Sequence, residues 1–263
     1  MNLELTSKKA FISGSTQGIG FAIAQQLLEE GAEVIINGRQ KLKTEKAVFQ
    51  LQQQFPDATI SGLAADFSNQ QEVHHLLEQL NDIDILINNI GIFELKDFTT
   101  ISDEEWYHIF EINVMSSVKL SRHLMPKMLE KNWGRIIFIS SESGVNIPGN
   151  MIHYGMTKAA MMAVSNGLSK LTKGTEVTVN TILGGPTYSE GVAETVDYFA
   201  KIQNMSVEQM KAAIIQQTNP DSLLQRFIEP KEIASLATYL SSPLSIATNG
   251  ASLRADGGVL KTM

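Results

Sequence analysis

The chain has 263 residues, of which 43% are hydrophobic and 19% charged, with no cysteine and a formal net charge of -7. One large core is therefore allowed, whereas disulfides, thiolate nucleophiles and sulfur-held metals are excluded, and an acidic chain without a basic block disfavours nucleic acid. Charges in MNLELTSKKAFISG interrupt any secretory apolar core, and no run is long enough to span a membrane, so a cytoplasmic protein is the default expectation.

Short apolar, β-branched runs alternate with helical patterns from end to end. They are KAFIS (9–13), EVIIN (33–37), TISGLAA (59–65), IDILIN (83–88), RIIFIS (135–140), EVTVNTIL (176–183) and ASLRA (251–255). Strands apolar on both faces and separated by helices predict an α/β parallel sheet of about seven strands, covered on both sides, in a single domain spanning 1–263. Ser68 with Gln71, and Ser102 with Glu105, are spaced as helix capping boxes, and Pro230 stands where a first helical residue would. Residues 184–229 break the alternation with helical pieces (EGVAETVDYFAKI, SVEQMKAAIIQ) and no strand, which predicts a lid inserted at the carboxyl edge of the sheet.

The first strand runs into SGSTQGIG (13–20) and then a helix. Gly14 allows a tight turn, Gly18 lets a phosphate approach the backbone, Gly20 lets helix and strand pack, and the helix N-terminus offers free N–H groups to a pyrophosphate. The second strand ends INGRQ, where Gly38 takes the place at which NAD-preferring folds carry an acid for the ribose 2′-hydroxyl. Arg39 follows with a planar fork suited to phosphate, which points to NADPH/NADP+, with NAD(H) as the alternative. Asp66 closes the third strand as either a helix cap or an adenine-side contact. In IPGNMIHYGMTKAAM (147–161), Tyr154 and Lys158 lie one helical turn apart and share a face. That spacing alone fits a surface aromatic beside a snorkelling amine as well as it fits chemistry.

In order along the chain, SGSTQGIG, NNIG (88–91), Asn113, Ser141, Tyr154 with Lys158, GGPT (184–187) and GASLRADGG (250–258) resemble the landmarks of the short-chain dehydrogenases/reductases. Ser141 precedes Tyr154 by the family's thirteen residues. The resemblance covers essentially the whole chain and implies a Rossmann-like doubly wound fold.

It also implies an oxidoreductase that interconverts a ketone and a secondary alcohol, 3-oxoacyl reductase-like or another carbonyl reductase. Tyr154 would exchange a proton with the substrate oxygen, Ser141 would hold that oxygen, Lys158 would bind the nicotinamide ribose and favour phenolate, and Asn113 would support a water beside Lys158. The cofactor is expected along Gly14, Ser15, Gln17, Gly18, Ile19, Gly20, Arg39, Asp66, Phe67, Asn89, Gly91, Tyr154, Lys158, Gly185 and Thr187. Ser13, Ile90 and Gly184 stand where the family carries threonine, alanine and proline. An NAD-dependent alcohol dehydrogenase and a non-catalytic dinucleotide sensor are the alternatives. A homotetramer or homodimer is implied, with the C-terminal GASLRADGGVLKTM in an interface.

Glu142 and His153 neighbour the catalytic residues and Tyr188 and Ser189 begin the lid, so these four are the expected contacts to a small carbonyl or alcohol substrate. The five histidines lack metal-ligand spacing. Asp103, Glu104 and Glu105 cluster at a helix start, where the macrodipole accounts for them.

Overall fold

A computed structural model describes residues 2–261, so the last two residues of GASLRADGGVLKTM lie outside the described residues. The first half runs β1 (Lys9–Ile12), α1 (Gly18–Glu29), β2 (Glu33–Gly38), α2 (Lys41–Gln54), β3 (Ile60–Ala64), α3 (Gln70–Gln79) and β4 (Ile85–Asn88). The second runs α4 (Asp103–Phe110), α5 (Ser116–Glu130), β5 (Trp133–Ser141), α6 (Ile152–Ser169), β6 (Glu176–Gly184), α7 (Glu190–Ile202), α8 (Val207–Thr218), α9 (Pro230–Ser241) and β7 (Ser252–Ala255). All strand pairs are parallel, in the order β3-β2-β1-β4-β5-β6-β7. Every strand falls on one of the apolar runs.

Alternation along the strands feeds two cores. Ile12, Ile85, Ile137 and Ile139 pack under α1, α2 and α9, while Phe11, Leu86, Ile136 and Phe138 pack under α3, α5 and α6. The chain order reverses between β1 and β4, which opens a crevice at the carboxyl ends of these strands, the position where doubly wound sheets bind ligands.

The Ser102–Glu105 capping box forms, and Pro230 opens α9. The box expected at Ser68 does not form. Asn69 caps α3 instead, its side chain accepting from the N–H groups of Gln71 and Glu72 at 3.0 and 3.4 Å. Ser68 is drawn away by Asp66, whose Oδ1 accepts from both the Ser68 hydroxyl (2.7 Å) and its N–H (2.9 Å). A carboxylate that bonds the backbone two residues on makes its own turn, and the helix starts one residue later.

Residues 184–229 hold α7 and α8, which pack on each other through Val196, Ala200 and Met210. Their base is fastened by a parallel bridge between Thr187 and Ile228. Gly184 itself is paired within β6 between Ser141 and Ala255, so the excursion begins after it.

Candidate active site

The glycine turn is locked from below. The Ser13 hydroxyl donates to the Ile87 carbonyl (3.2 Å) and accepts from the Asn89 N–H (3.0 Å), while the Asn89 side chain donates to the carbonyls of Ser13 and Gly14 at 3.1 and 2.8 Å. Ser15 is fully buried and bonds Ile12 and Asn37, which places it in the scaffold of the turn. Gln17 gives α1 no side-chain cap, and the first turn carries no acid. Its free N–H groups and positive dipole end thus suit an anion.

A cleft of about 460 Å³ runs from this turn across the crevice. It takes in Gly14, Gln17, Gly18, Ile19, Arg39, Asp66, Phe67, Asn89 and Gly91 from the expected cofactor set. Its size and its uncapped helix end fit a dinucleotide. Ile90 lines it too, with Cγ1 packed against Gly14. At the ribose end, Gly38 has steric work. A Cβ there would lie 2.4 Å from Thr16 Cγ2 and 2.9 Å from Thr44 Oγ1, so an acid at that place would require both threonine side chains to move.

Asp66 faces the cleft and does not cap α3. Burial alone would raise its pKa, but the hydrogen bonds from Ser68 and the charges of Arg39 and His108 carry it below the ordinary value.

Ser141 ends β5, and Tyr154 and Lys158 stand on the opening turns of α6. Gly155 lets the loop after β5 fold onto that helix, because a Cβ there would sit 2.5 Å from Ile147 Cγ2. The Ser141 side chain hydrogen-bonds the Tyr154 phenol. The Lys158 ammonium is buried, donates to the Ile139 carbonyl at 3.0 Å and lies 5.6 Å from the centre of the Tyr154 ring. Asn113 sits in a π-helical turn, Glu111–Met115, between α4 and α5. Its carboxamide is committed to the Ile92 backbone and to the Thr157 hydroxyl, which in turn donates to the Tyr154 carbonyl. The π turn, the loop after β4 and α6 are thereby tied together.

In the free chain, burial dominates the titration of this pair. It pushes Tyr154 up to about 12, with Ser141 opposing and the charge of Glu142 adding to the rise, and it pushes Lys158 down to about 8.

The profile of the family described as short chain dehydrogenase matches residues 8–198. The chain belongs to the short-chain dehydrogenase family. This short-chain dehydrogenase is 43% identical over 263 residues to the oxidoreductase YvaG of Bacillus subtilis, with both chains covered in full. It is 30% identical over 258 residues to D-beta-hydroxybutyrate dehydrogenase of Cupriavidus necator, covering 97% of this chain and 98% of the relative. Among solved structures it matches L-sorbose reductase from Gluconobacter frateurii, complexed with NADPH and L-sorbose, with a TM-score of 0.93, 28% identity and full coverage of both chains.

The residues expected at the substrate end of the dehydrogenase have differing surroundings. His153 is buried edge-on against Trp106, with ring centroids 5.9 Å apart, and serves the packing of α4 on α6. Tyr188 lies between Phe227, 5.8 Å away, and the Lys211 ammonium, 4.2 Å above its ring, so it anchors the excursion. Ser189 lines the cofactor cleft. Gly185 donates to the Ala255 carbonyl and Thr187 to the Gly185 carbonyl, which shapes the start of the excursion. Glu142 is buried beside Ser141, and its burial, opposed by Ser143 and reinforced by Asp256, pushes its pKa up to about 6.

Three residues were not singled out for the site from the sequence. Lys43 lines the cleft from the first turn of α2. His108 reaches the cleft from α4, and the Phe93 ring stands 6.1 Å from that of Tyr154. No signal in the sequence marks either, because both arrive by the packing of a distant element.

Proposed function

We propose that this protein reduces a ketone to a secondary alcohol with NADPH. The observation that carries the reading is the meeting of Ser141 and Tyr154, with Lys158 one turn away, at the strand-end crevice that also holds the uncapped α1. Bound NADPH supplies the hydride that reaches the carbonyl carbon. Negative charge then grows on the carbonyl oxygen, which Ser141 holds by its hydroxyl while Tyr154 donates the phenolic proton. A phenol raised to about 12 is protonated at neutral pH, the state a reductase needs. Lys158, still protonated below about pH 8, returns a positive charge to the site once the proton has gone.

Arg39 and Lys43 both line the cleft beside Gly38, which leaves no acid to repel a 2′-phosphate. These features support NADP(H) over NAD(H). The L-sorbose reductase likeness supports a ketone substrate in the reductive direction. The relation to D-beta-hydroxybutyrate dehydrogenase favours a second reading, oxidation of a secondary alcohol with NAD. A sensor without chemistry has no use for a buried lysine beside a serine–tyrosine pair. The α7–α8 hairpin is read as a lid over the substrate, and the protein as a cytoplasmic homotetramer or homodimer.

The test is a panel of ketones offered with NADPH and with NADH, followed by the absorbance of the reduced cofactor. Loss of NADPH absorbance with at least one ketone, and slower loss with NADH, is expected. Turnover only with NAD and an alcohol would establish the second reading.

A further inference from the structure

The loop after β4 carries an aromatic ring to the proton donor. The cofactor cleft takes in Asn89 to Ile92 of this loop and ends there. Phe93, the next residue, meets Tyr154 edge-on, with ring centroids 6.1 Å apart and planes inclined by 66°. The Phe93 side still leaves the residue 59% exposed. A ring serving only to pack the tyrosine would gain by burying most of its surface, whereas this one keeps the larger part open beside Tyr154.

The ring is held from both ends of its segment. Asn113 grips the Ile92 peptide at 2.8 and 2.9 Å, and the Lys96 N–H donates to the Asn150 carbonyl at 2.9 Å. The second bond ties the segment to the loop after β5, where another exposed apolar side chain, Ile147, covers Gly155, the residue after Tyr154. Phe93 and Ile147 thus approach this turn of α6 from two loops. The charges nearby do not invite an anion. Lys96, the one cation of residues 91–98, pairs with Glu105, and Glu94 in the same segment is an acid. A carboxylate carried next to the reacting carbonyl finds no cation free in this segment, whereas an apolar group finds a wall.

We propose that Phe93 receives an aryl group carried beside the reacting carbonyl, so that the enzyme selects aryl-bearing ketones over short alkyl ones. The inference rests on the ketone-reductase reading and deepens it. A ketone whose oxygen takes its proton from Tyr154 brings its substituents among the neighbours of that residue, and Phe93 is the aromatic ring in contact with it. Aromatic rings attract one another in offset or edge-on arrangements beyond the gain from burial, and the open part of Phe93 is free to form such a pair.

Phenylacetone and butanone differ by a phenyl in place of a terminal methyl, and neither carbonyl is conjugated. The wild type is expected to favour phenylacetone in kcat/KM with NADPH by about tenfold or more, the scale on which an apolar pocket separates substrates. Phe93→Ala should lower that ratio by about tenfold. Phe93→Tyr, which keeps the ring, should hold it within about twofold of wild type. Both variants should fold, because the side chain is largely exposed. A role confined to packing Tyr154 would change both rates together and leave the ratio alone. An unchanged ratio in Phe93→Ala, a wild type that reduces butanone as well as phenylacetone, or one that reduces other ketones and not phenylacetone, overturns the inference while the reductase reading stands. A wild type that reduces no ketone at all removes both.

Discussion

The Asn113 carboxamide clasps the backbone of Ile92 from both sides, Oδ1 accepting the N–H at 2.8 Å and Nδ2 donating to the carbonyl at 2.9 Å. Ile92 belongs to the loop between Gly91, which borders the Lys158 ammonium, and Phe93, which faces Tyr154. The Asn113 side chain therefore fixes this loop. Asn113→Leu leaves both groups of the Ile92 peptide unpaired and should destabilise the protein by about 2–4 kcal/mol, counting the buried Thr157 contact. Asn113→Asp keeps the acceptor and loses the donor, so its loss should be intermediate. Denaturant unfolding and kcat/KM measured on both variants check the order.

Arg39 and Lys43 make separable predictions about the cofactor. Arg39→Ala should raise the KM for NADPH by about tenfold and leave that for NADH nearly unmoved, since only the 2′-phosphate uses the fork. Lys43→Ala should act in the same direction and less strongly, as a point charge on a flexible stem. Initial rates with the two cofactors measure both, and equal effects on NADPH and NADH would refute the assignment of this end of the cleft.

Glu142 predicts a pH-dependent stability. Its folded pKa of about 6 lies above its ordinary 4.5, so the folded state holds the proton more tightly. The stability from that proton is fully present below about pH 4.5, and it is lost as pH rises through 6. Above this window the buried charge is a penalty of about 2 kcal/mol relative to a neutral group. Glu142→Gln should accordingly stabilise the free protein by about that amount at neutral pH and by little near pH 4.5. Unfolding free energies at the two pH values decide it.

The start of α3 gives a local check. Asn69→Ala should cost about 1 kcal/mol, because the Gln71 and Glu72 N–H groups lose their acceptor. Ser68→Ala should cost clearly less, since its hydroxyl bonds only the exposed Asp66 carboxylate. Thermal melts of the two variants compare them.

What could be read in advance follows the physics of each feature. Runs such as RIIFIS and EVTVNTIL are apolar on both faces because helices cover both faces of a parallel sheet, and EGVAETVDYFAKI reads as a helix because its apolar stripe has somewhere to pack, against α8. The placement of Tyr154 and Lys158 one turn apart on a helix was legible from their spacing, whereas their role rests on the resemblance carried by SGSTQGIG, Asn113 and Ser141. The N-cap of α3 was not, because a competition between Asp66 and Ser68 decides it. The Asn113 clasp on Ile92, the approach of Phe93 to Tyr154 and the burial of His153 against Trp106 all join residues from separate elements, and no local pattern records such meetings.

The central claim is that the Tyr154 phenol delivers the proton to a ketone oxygen as NADPH is oxidised. Tyr154→Phe removes one oxygen and keeps the ring that packs near Phe93. NADPH consumption with a ketone that the wild type reduces, measured alongside NADPH binding by fluorescence, tests it most directly. The predicted result is a fall in kcat of about a hundredfold or more, the scale of a lost general acid, with the binding affinity within about twofold of wild type. Turnover by Tyr154→Phe at the wild-type rate would contradict the account.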